Sequence, residues 1–158
     1  MIKNLLMIMV SLGVVAIFSG CGDSAVECDD SDAKKLVMEI TEDTTKKQII
    51  VKRLVTMDPT YSKILVVDRR VFDLGFQEIK KSFLEKNPEL IESFDMVSKE
   101  YADANPQLIS IRTNAQDDKL KKTECAAQIS LANGNSIDIT YDLSITSDGE
   151  LYVEVGGL

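Results

Sequence analysis

Residues 133–145 read NGNSIDITYDLSI, and this stretch decides the class of fold. Asn-Gly is a favoured hairpin turn, because both residues tolerate the positive φ that such turns require. After the turn, apolar side chains occupy every second position from Ile137 to Ile145, and polar side chains lie between them. This alternation is typical of a strand with one buried and one exposed face. The stretch therefore predicts a hairpin within a half-covered antiparallel sheet.

The flanking segments extend this sheet on both sides. Residues 107–113 predict a first strand, which the polar loop 114–121 joins to a second strand over residues 122–132. Asp148-Gly149 predicts a further turn into a last strand. One face of the second strand is apolar and consists of Cys125, Ala127, Ile129 and Leu131. The C-terminal part is therefore expected to form a four-stranded antiparallel meander over about residues 107–156.

The N-terminal half instead repeats apolar residues at intervals of three and four, which predicts amphipathic helices over about residues 31–104. Ser31 is a suitable N-cap, and the apolar stripe after it is interrupted by polar residues 41–47. Two short helices or one long bent helix both fit that interruption. The predicted fold is α+β, with these helices packed on one face of the meander. In layout it resembles the cystatin-like and nuclear-transport-factor-like folds of small exported bacterial proteins.

At the N-terminus, Lys3 precedes an apolar run that ends at Phe18-Ser19-Gly20-Cys21. The run is shorter than the ~20 residues that span a bilayer, but it suits a secretory signal. Its last four residues resemble the lipobox of bacterial lipoproteins, with Phe18 in the place of the usual leucine. The resemblance implies removal of residues 1–20, acylation of Cys21, a short tether over residues 21–30, and a single domain over residues 31–158.

The same resemblance implies a location. Lipoproteins of this kind face the periplasm and are held to the membrane by the acyl chains on the cysteine. An Asp directly after that cysteine tends to retain them in the inner membrane, and here the position is Gly22. The outer membrane is therefore favoured over the inner membrane. The alternatives are an ordinary signal peptide, which leaves Cys21 as a plain thiol, and a retained N-terminal anchor helix.

Acylation of Cys21 would leave Cys28 and Cys125 as a pair in an exported protein. Because compartments outside the cytoplasm permit disulfides, one bond between these two is the simplest interpretation. It would pin the first residues after the anchor to the sheet. Two buried free thiols or a redox pair are the alternatives, although the chain lacks the C-x-x-C spacing that activates a thiolate.

The composition excludes several classes of function. The chain of 158 residues contains no histidine, which excludes Ser-His-Asp catalysis, Cys-His catalysis and histidine-based metal sites. Its formal net charge of −8 argues against a nucleic-acid partner. No nucleotide-binding or hydrolase motif is found in it. We therefore expect a non-enzymatic protein without a cofactor or a metal, and its oligomeric state stays open.

Candidate binding residues lie on the polar face of the predicted sheet. Arg112 is expected opposite Ile109 and Ile111 and near a carboxylate across the sheet, where an ion pair and a ligand-anchoring arginine are both consistent with the pattern. The densest basic runs, Arg69-Arg70 with Lys80-Lys81 and Lys119 to Lys122, are typical of solvated surface. The candidate set for ligand binding is Arg112, Asp138, Thr140, Asp142 and Tyr152.

These observations favour a lipid-anchored periplasmic domain that binds another envelope protein or assists an assembly. A second hypothesis is a small-molecule binding module, for which a deep apolar cavity near Arg112 would be expected between helices and sheet. Exclusion-type and inhibitor lipoproteins are similar in cellular location and size, but the sequence contains no residue that is diagnostic of either group. A hydrolase based on carboxylates would need two of them facing one cleft.

Overall fold

A computed structural model describes residues 24–61 and 74–158, so the lipobox with Cys21 and the Arg69-Arg70 pair lie outside the described residues. Within these ranges the helices are α1 (Ser31–Met57), α2 (Phe76–Leu84) and α3 (Ile91–Ala104), with a 3-10 turn at Pro88–Leu90 before α3. The strands that follow are β1 (Gln107–Asp117), β2 (Lys122–Ser130), β3 (Ser136–Ile145) and β4 (Leu151–Gly156). The predicted α+β class is confirmed.

The strands form one antiparallel sheet in the order β1-β2-β3-β4, which is the predicted meander. β2 pairs with β3 in unbroken register along its whole length, and Gly134 in the turn between them has a φ of 85°. β1 is longer than expected, because residues 114–117 continue the strand instead of starting the loop. Two bulges, between Ile109 and Arg112 and between Thr113 and Ala115, let this polar segment keep its pairing with β2.

The first half of α1 covers one face of the sheet. Alternate side chains of β2 and β3 point towards this helix and form a core with it, while β4 also contacts the helix. The fully buried members of this core are Cys28, Ala33, Val37, Cys125, Ala127, Ile129, Ile139, Tyr141 and Leu143. The apolar stripe at the start of α1 is thus the part of the helical half that shields the sheet.

The second half of α1 packs against α2 and α3, and these helices form a core of their own. The rings of Phe76 and Phe94 lie 5.7 Å apart between centroids and are tilted relative to each other. The buried members of this second core are Ile50, Leu54, Phe76, Ile79, Phe83, Leu90, Phe94 and Val97. A single helix, α1, therefore contributes to both cores in the described part of the chain.

α1 is continuous through the polar stretch 41–47, which settles the choice between one helix and two. Lys46 is only 9% exposed, since the stretch lies where the two cores meet. Its Nζ pairs with Glu42 and lies 5.2 Å from the centroid of the Tyr101 ring. Ion pairs four residues apart stabilise a helix, so the polar residues support α1 rather than interrupt it.

The N-cap of α1 is Asp30, and the prediction of Ser31 was wrong by one residue. The Asp30 carboxylate accepts hydrogen bonds from the backbone N–H groups of Asp32 and Ala33, at 2.8 and 3.0 Å. A carboxylate in this place satisfies amides that have no partner within the helix, and its charge suits the positive end of the helix dipole. Ser31 is consequently the first residue of the helix itself.

Asp43 of α1 caps the start of α2. Its Oδ1 accepts a hydrogen bond from Phe76 N at 2.6 Å, and its Oδ2 lies 3.0 Å from Lys47 Nζ. We expect Asp43→Ala to lower the free energy of unfolding by about 1 kcal/mol, the usual cost of losing an N-cap. Urea unfolding measures this change. The exposed Glu39→Ala on the same helix is the control, and equal losses for the two variants would contradict the capping role.

Candidate functional site

The face of the sheet opposite α1 is exposed, and no other described element packs on it. We call it the uncovered face. The strand register groups its side chains into rows that run across the sheet. The structure places all the predicted binding residues on this face, namely Arg112, Asp138, Thr140, Asp142 and Tyr152. Alternation placed these five residues on the correct face, but the expectation that Ile109 lies opposite Arg112 was wrong. The bulge between the two residues shifts the alternation, so that Ile109 shares the uncovered face while Ile111 packs against the core.

One row consists of a single large side chain and three small residues. Arg112 lies opposite Ala126, and the row continues across β3 and β4 through Thr140 and Gly156. A Cβ on Gly156 would lie only 3.2 Å from Thr140 Oγ1, so the threonine hydroxyl occupies the space beside this glycine. Because the other three members are small, the Arg112 guanidinium is the one large polar group of this row.

The ion pair expected between Arg112 and Asp138 or Asp142 is not formed within the described residues. Asp138 instead accepts a hydrogen bond from Gln128 Nε2, its cross-strand neighbour, at 2.9 Å. The bulge before Arg112 places the arginine opposite Ala126, one row away from each carboxylate. The guanidinium therefore stays available on the surface instead of being used within the sheet.

The next row places three carboxylates side by side. Glu124 of β2 lies opposite Asp142 of β3, which lies opposite Glu154 of β4, and all three are exposed. Directly opposed like charges destabilise a sheet, and no ion pair neutralises this row in the part of the chain that the structure describes. Tyr152 O–H donates to Glu154 Oε1 at 3.1 Å, which adds one polar contact. We call these three residues the acidic row.

Glu124 and Glu154 were missed in the sequence analysis, although a signal for both was present. Both residues alternate with apolar neighbours, which places them on the polar face of their strands. Their pairing with Asp142 depends on loops of three residues, 132–134 and 147–149, whereas a two-residue Asn133-Gly134 turn would pair Glu124 with Leu143. Alternation within each strand shows which face a side chain occupies. The register between strands is also needed to show which side chains are neighbours.

Arg112 also lines a polar groove of about 290 Å³ at the β1 edge of the sheet. Glu27 and Asp29 lie in the wall of this groove, along with Thr113 and Gln116. It differs from the deep apolar cavity that a small-molecule module would need near this arginine. The apolar groove in the described region, about 320 Å³ in volume, lies instead on the second half of α1 along Ile49 to Met57.

A disulfide joins Cys28 to Cys125, as predicted, with a Cα to Cα distance of 5.8 Å. Tyr141 O–H donates to the backbone carbonyl of Cys28 at 2.6 Å in the buried core. Burial, and to a smaller extent the charge of Asp29, raises the pKa of Tyr141 to about 12. The phenol therefore keeps its proton and stays a donor to the segment before α1 throughout the physiological pH range.

The segment before α1, residues 24–30 of the predicted short tether, is docked on the sheet. Ala25 and Cys28 are buried, and Thr123 Oγ1 donates to Val26 O at 2.7 Å. Ala25 N donates to Asp118 Oδ1 at 3.0 Å. These contacts arise because the disulfide holds the segment against β2, beside the turn that leads into it.

Neither a metal cluster nor a membrane span is found in residues 24–61 and 74–158. No group of three acidic or cysteine side chains there could hold a metal ion, and no helix is both long and apolar enough to cross a bilayer. Comparison with protein-family models, with curated proteins and with solved structures finds no match to the chain. The lipobox and the likeness to cystatin-like folds therefore stay predictions.

Proposed function

We propose that the chain is a lipoprotein, anchored through Cys21 at the periplasmic face of the outer membrane, whose domain binds another envelope protein without catalysing a reaction. The lipobox pattern at residues 18–21 supports the anchor. The uncovered face of the sheet is the binding surface. The observation that carries this assignment is the acidic row, three exposed carboxylates in adjacent strands without an internal cation.

The acidic row favours a partner that presents Lys or Arg side chains. Such a partner would neutralise carboxylates that repel one another in the free protein. Binding would therefore remove an electrostatic repulsion that destabilises the sheet. Tyr152, 50% exposed, and Ile109, 41% exposed, offer apolar area on the same face. Exposed aromatic side chains beside charged groups are typical of protein interfaces. Arg112 adds one positive charge that fixes the orientation of the partner.

The same surface is less suited to the alternatives. Enzymes that use two carboxylates hold them in a cleft around the substrate, whereas the acidic row lies on an open strand surface. A small-molecule module would need concave apolar walls, and the groove beside Arg112 is polar and open. An exclusion-type or inhibitor lipoprotein is a special case of protein binding, and it would use the same face.

Photocrosslinking in intact cells tests the proposed surface. A photoreactive amino acid at Thr140 is expected to give a discrete crosslinked product with an envelope protein. We expect the charge reversal Glu154→Lys to reduce that product about tenfold, because reversing one charge of a close interfacial pair costs on the order of 1.4 kcal/mol or more. The yield is measured by immunoblotting after illumination.

Glu89 provides the matched control, since it is exposed on the 3-10 turn among the helices. A photoreactive residue at this position should not give the same product, and Glu89→Lys should leave the Thr140 product unchanged. The proposed surface would be contradicted by equal crosslinking from both positions, or by a Thr140 product that is insensitive to Glu154→Lys.

A further inference from the structure

The β1–β2 turn, residues 117–122, lies beside the point at which the described chain begins. Ala25 N donates to Asp118 Oδ1 at 3.0 Å, and Gln116 Nε2 donates to the same oxygen at 2.9 Å. These hydrogen bonds, with that of Ala25 first, lower the pKa of Asp118 and keep it charged as an acceptor. The turn therefore holds the N-terminal segment at one end of the sheet.

The N-terminal segment has a defined direction along the sheet. Val26 O accepts a hydrogen bond from Thr123, and Cys28 is joined to Cys125 by the disulfide. The segment therefore runs alongside β2 in the same direction as that strand. Followed backwards from Ala25, the chain leaves the sheet at the β1–β2 turn. Cys21 is four residues before Ala25 in the sequence, and a chain of that length spans at most about 14 Å when extended at ~3.6 Å per residue.

The C-terminal end of α3 meets the sheet at its opposite end. Ala132 N, in the β2–β3 turn, donates to Ala104 O at the end of α3 with a distance of 2.8 Å. The β3–β4 turn is at the same end as the β1–β2 turn, but it carries Asp148 and Glu150. Of these two turns, the β1–β2 turn is the one that combines contact with the N-terminal segment and a cationic composition.

The surface of the β1–β2 turn is unusual for this acidic chain. Leu120 is 64% exposed, and Lys119, Lys121 and Lys122 flank it. None of these lysines forms an ion pair with another described residue. Asp117 is occupied within the turn, because its Oδ1 accepts hydrogen bonds from the backbone N–H groups of Lys119 and Leu120, at 2.9 and 3.1 Å. The turn thus presents one apolar side chain among three lysines, and with the charges of Asp117 and Asp118 its formal net charge is +1.

We propose that the β1–β2 turn lies against the lipid surface beside the acylated Cys21, with Leu120 inserted among the lipid headgroups and the lysines bound to anionic phosphates. This inference rests on the proposed anchor. An apolar side chain with flanking lysines suits the interface of an anionic bilayer, where the lysine stems lie along the acyl boundary and the ammonium groups reach the phosphates. The strands would then run roughly perpendicular to the membrane, with the β1–β2 turn at the lipid surface. The uncovered face would lie along the membrane normal and stay accessible to a partner.

Tryptophan fluorescence in proteoliposomes tests this orientation, because the natural chain contains no tryptophan. Acylated full-length Leu120→Trp is reconstituted into phosphatidylcholine vesicles that contain phosphatidylglycerol. We expect its emission to shift to shorter wavelength, and brominated lipids to quench it severalfold more strongly than they quench Ile109→Trp. Ile109 is the matched control, as it is an exposed apolar residue at the opposite end of β1.

Charge reversal provides the second readout. Lys119→Glu, Lys121→Glu and Lys122→Glu, combined with Leu120→Trp, should abolish most of the quenching, and circular dichroism checks that this variant is folded. Equal quenching of the two tryptophans in vesicle-bound protein would overturn the orientation, and so would an emission shift that occurs without vesicles. Failure of the protein to float with the vesicles would instead contradict the anchor, so the two failures are distinguishable.

Discussion

Removing the disulfide through Cys28→Ala and Cys125→Ala is expected to lower the free energy of unfolding by about 4 to 5 kcal/mol. The bond joins residues that are 97 positions apart, so the loop that it closes contains α1, α2, α3 and β1. In the loop-entropy model, a link across ~100 residues lowers the conformational entropy of the unfolded chain, and this loss raises its free energy by about 4 to 5 kcal/mol. Typical domains are stable by only 5–15 kcal/mol, so the loss is a large fraction of the total.

Urea unfolding of the oxidised protein, the reduced protein and the double alanine variant measures this effect. The reduced protein and the double variant should agree, because both lack the bond while only one retains the sulfur atoms. Thr123→Val is the control for the docked segment, since it removes only the hydrogen bond to Val26 and should cost about 1 kcal/mol. A double variant that unfolds within 1 kcal/mol of the oxidised protein would show that the disulfide contributes little stability.

The sheet could be predicted because its signals are local. The alternation from Ile137 to Ile145 and the Asn133-Gly134 turn specify one buried face and one hairpin without reference to the rest of the chain. The disulfide followed from counting cysteines in a chain that the lipobox resemblance predicts to be exported. The length of β1 did not follow, because its polar end becomes a strand only through bulges and pairing with β2.

The continuity of α1 could not be predicted, since it depends on contacts that are distant in sequence. Lys46 is polar and interrupts the apolar stripe, but its ammonium lies over the rings of Phe76 and Tyr101. Those rings come from α2 and α3, so the environment of Lys46 exists only after the helices have packed. The cap that Asp43 provides to α2 is a contact of the same kind.

The candidate site was predictable in part. The alternation of each strand placed Arg112, Asp138 and Tyr152 on the uncovered face correctly. It said nothing of how rows align between strands, and the acidic row is a property of that alignment. The bulge that shifts Arg112 away from its expected carboxylates involves Ser110, which has a φ of 55° and gives no clear signal in the sequence.

Cys21→Ser is expected to abolish attachment to the membrane. The lipobox resemblance assigns acylation to the cysteine alone, because a serine hydroxyl does not replace the thiol in the thioether linkage. Each buried methylene of an acyl chain adds about 0.8 kcal/mol of membrane affinity, so several chains hold a protein essentially permanently. The lysines of the β1–β2 turn are too few to replace that affinity. Cys28→Ser with Cys125→Ser is the control and should leave attachment intact, with reduced stability.

Metabolic labelling with palmitate, followed by membrane fractionation, tests the anchor at Cys21 most directly. The natural chain and the Cys28→Ser, Cys125→Ser variant are expected to carry the label and to sediment with the membrane. The Cys21→Ser variant should carry no label and should be found in the soluble fraction or as an unprocessed precursor. Unchanged labelling of Cys21→Ser, or an unlabelled natural chain, would contradict the anchor.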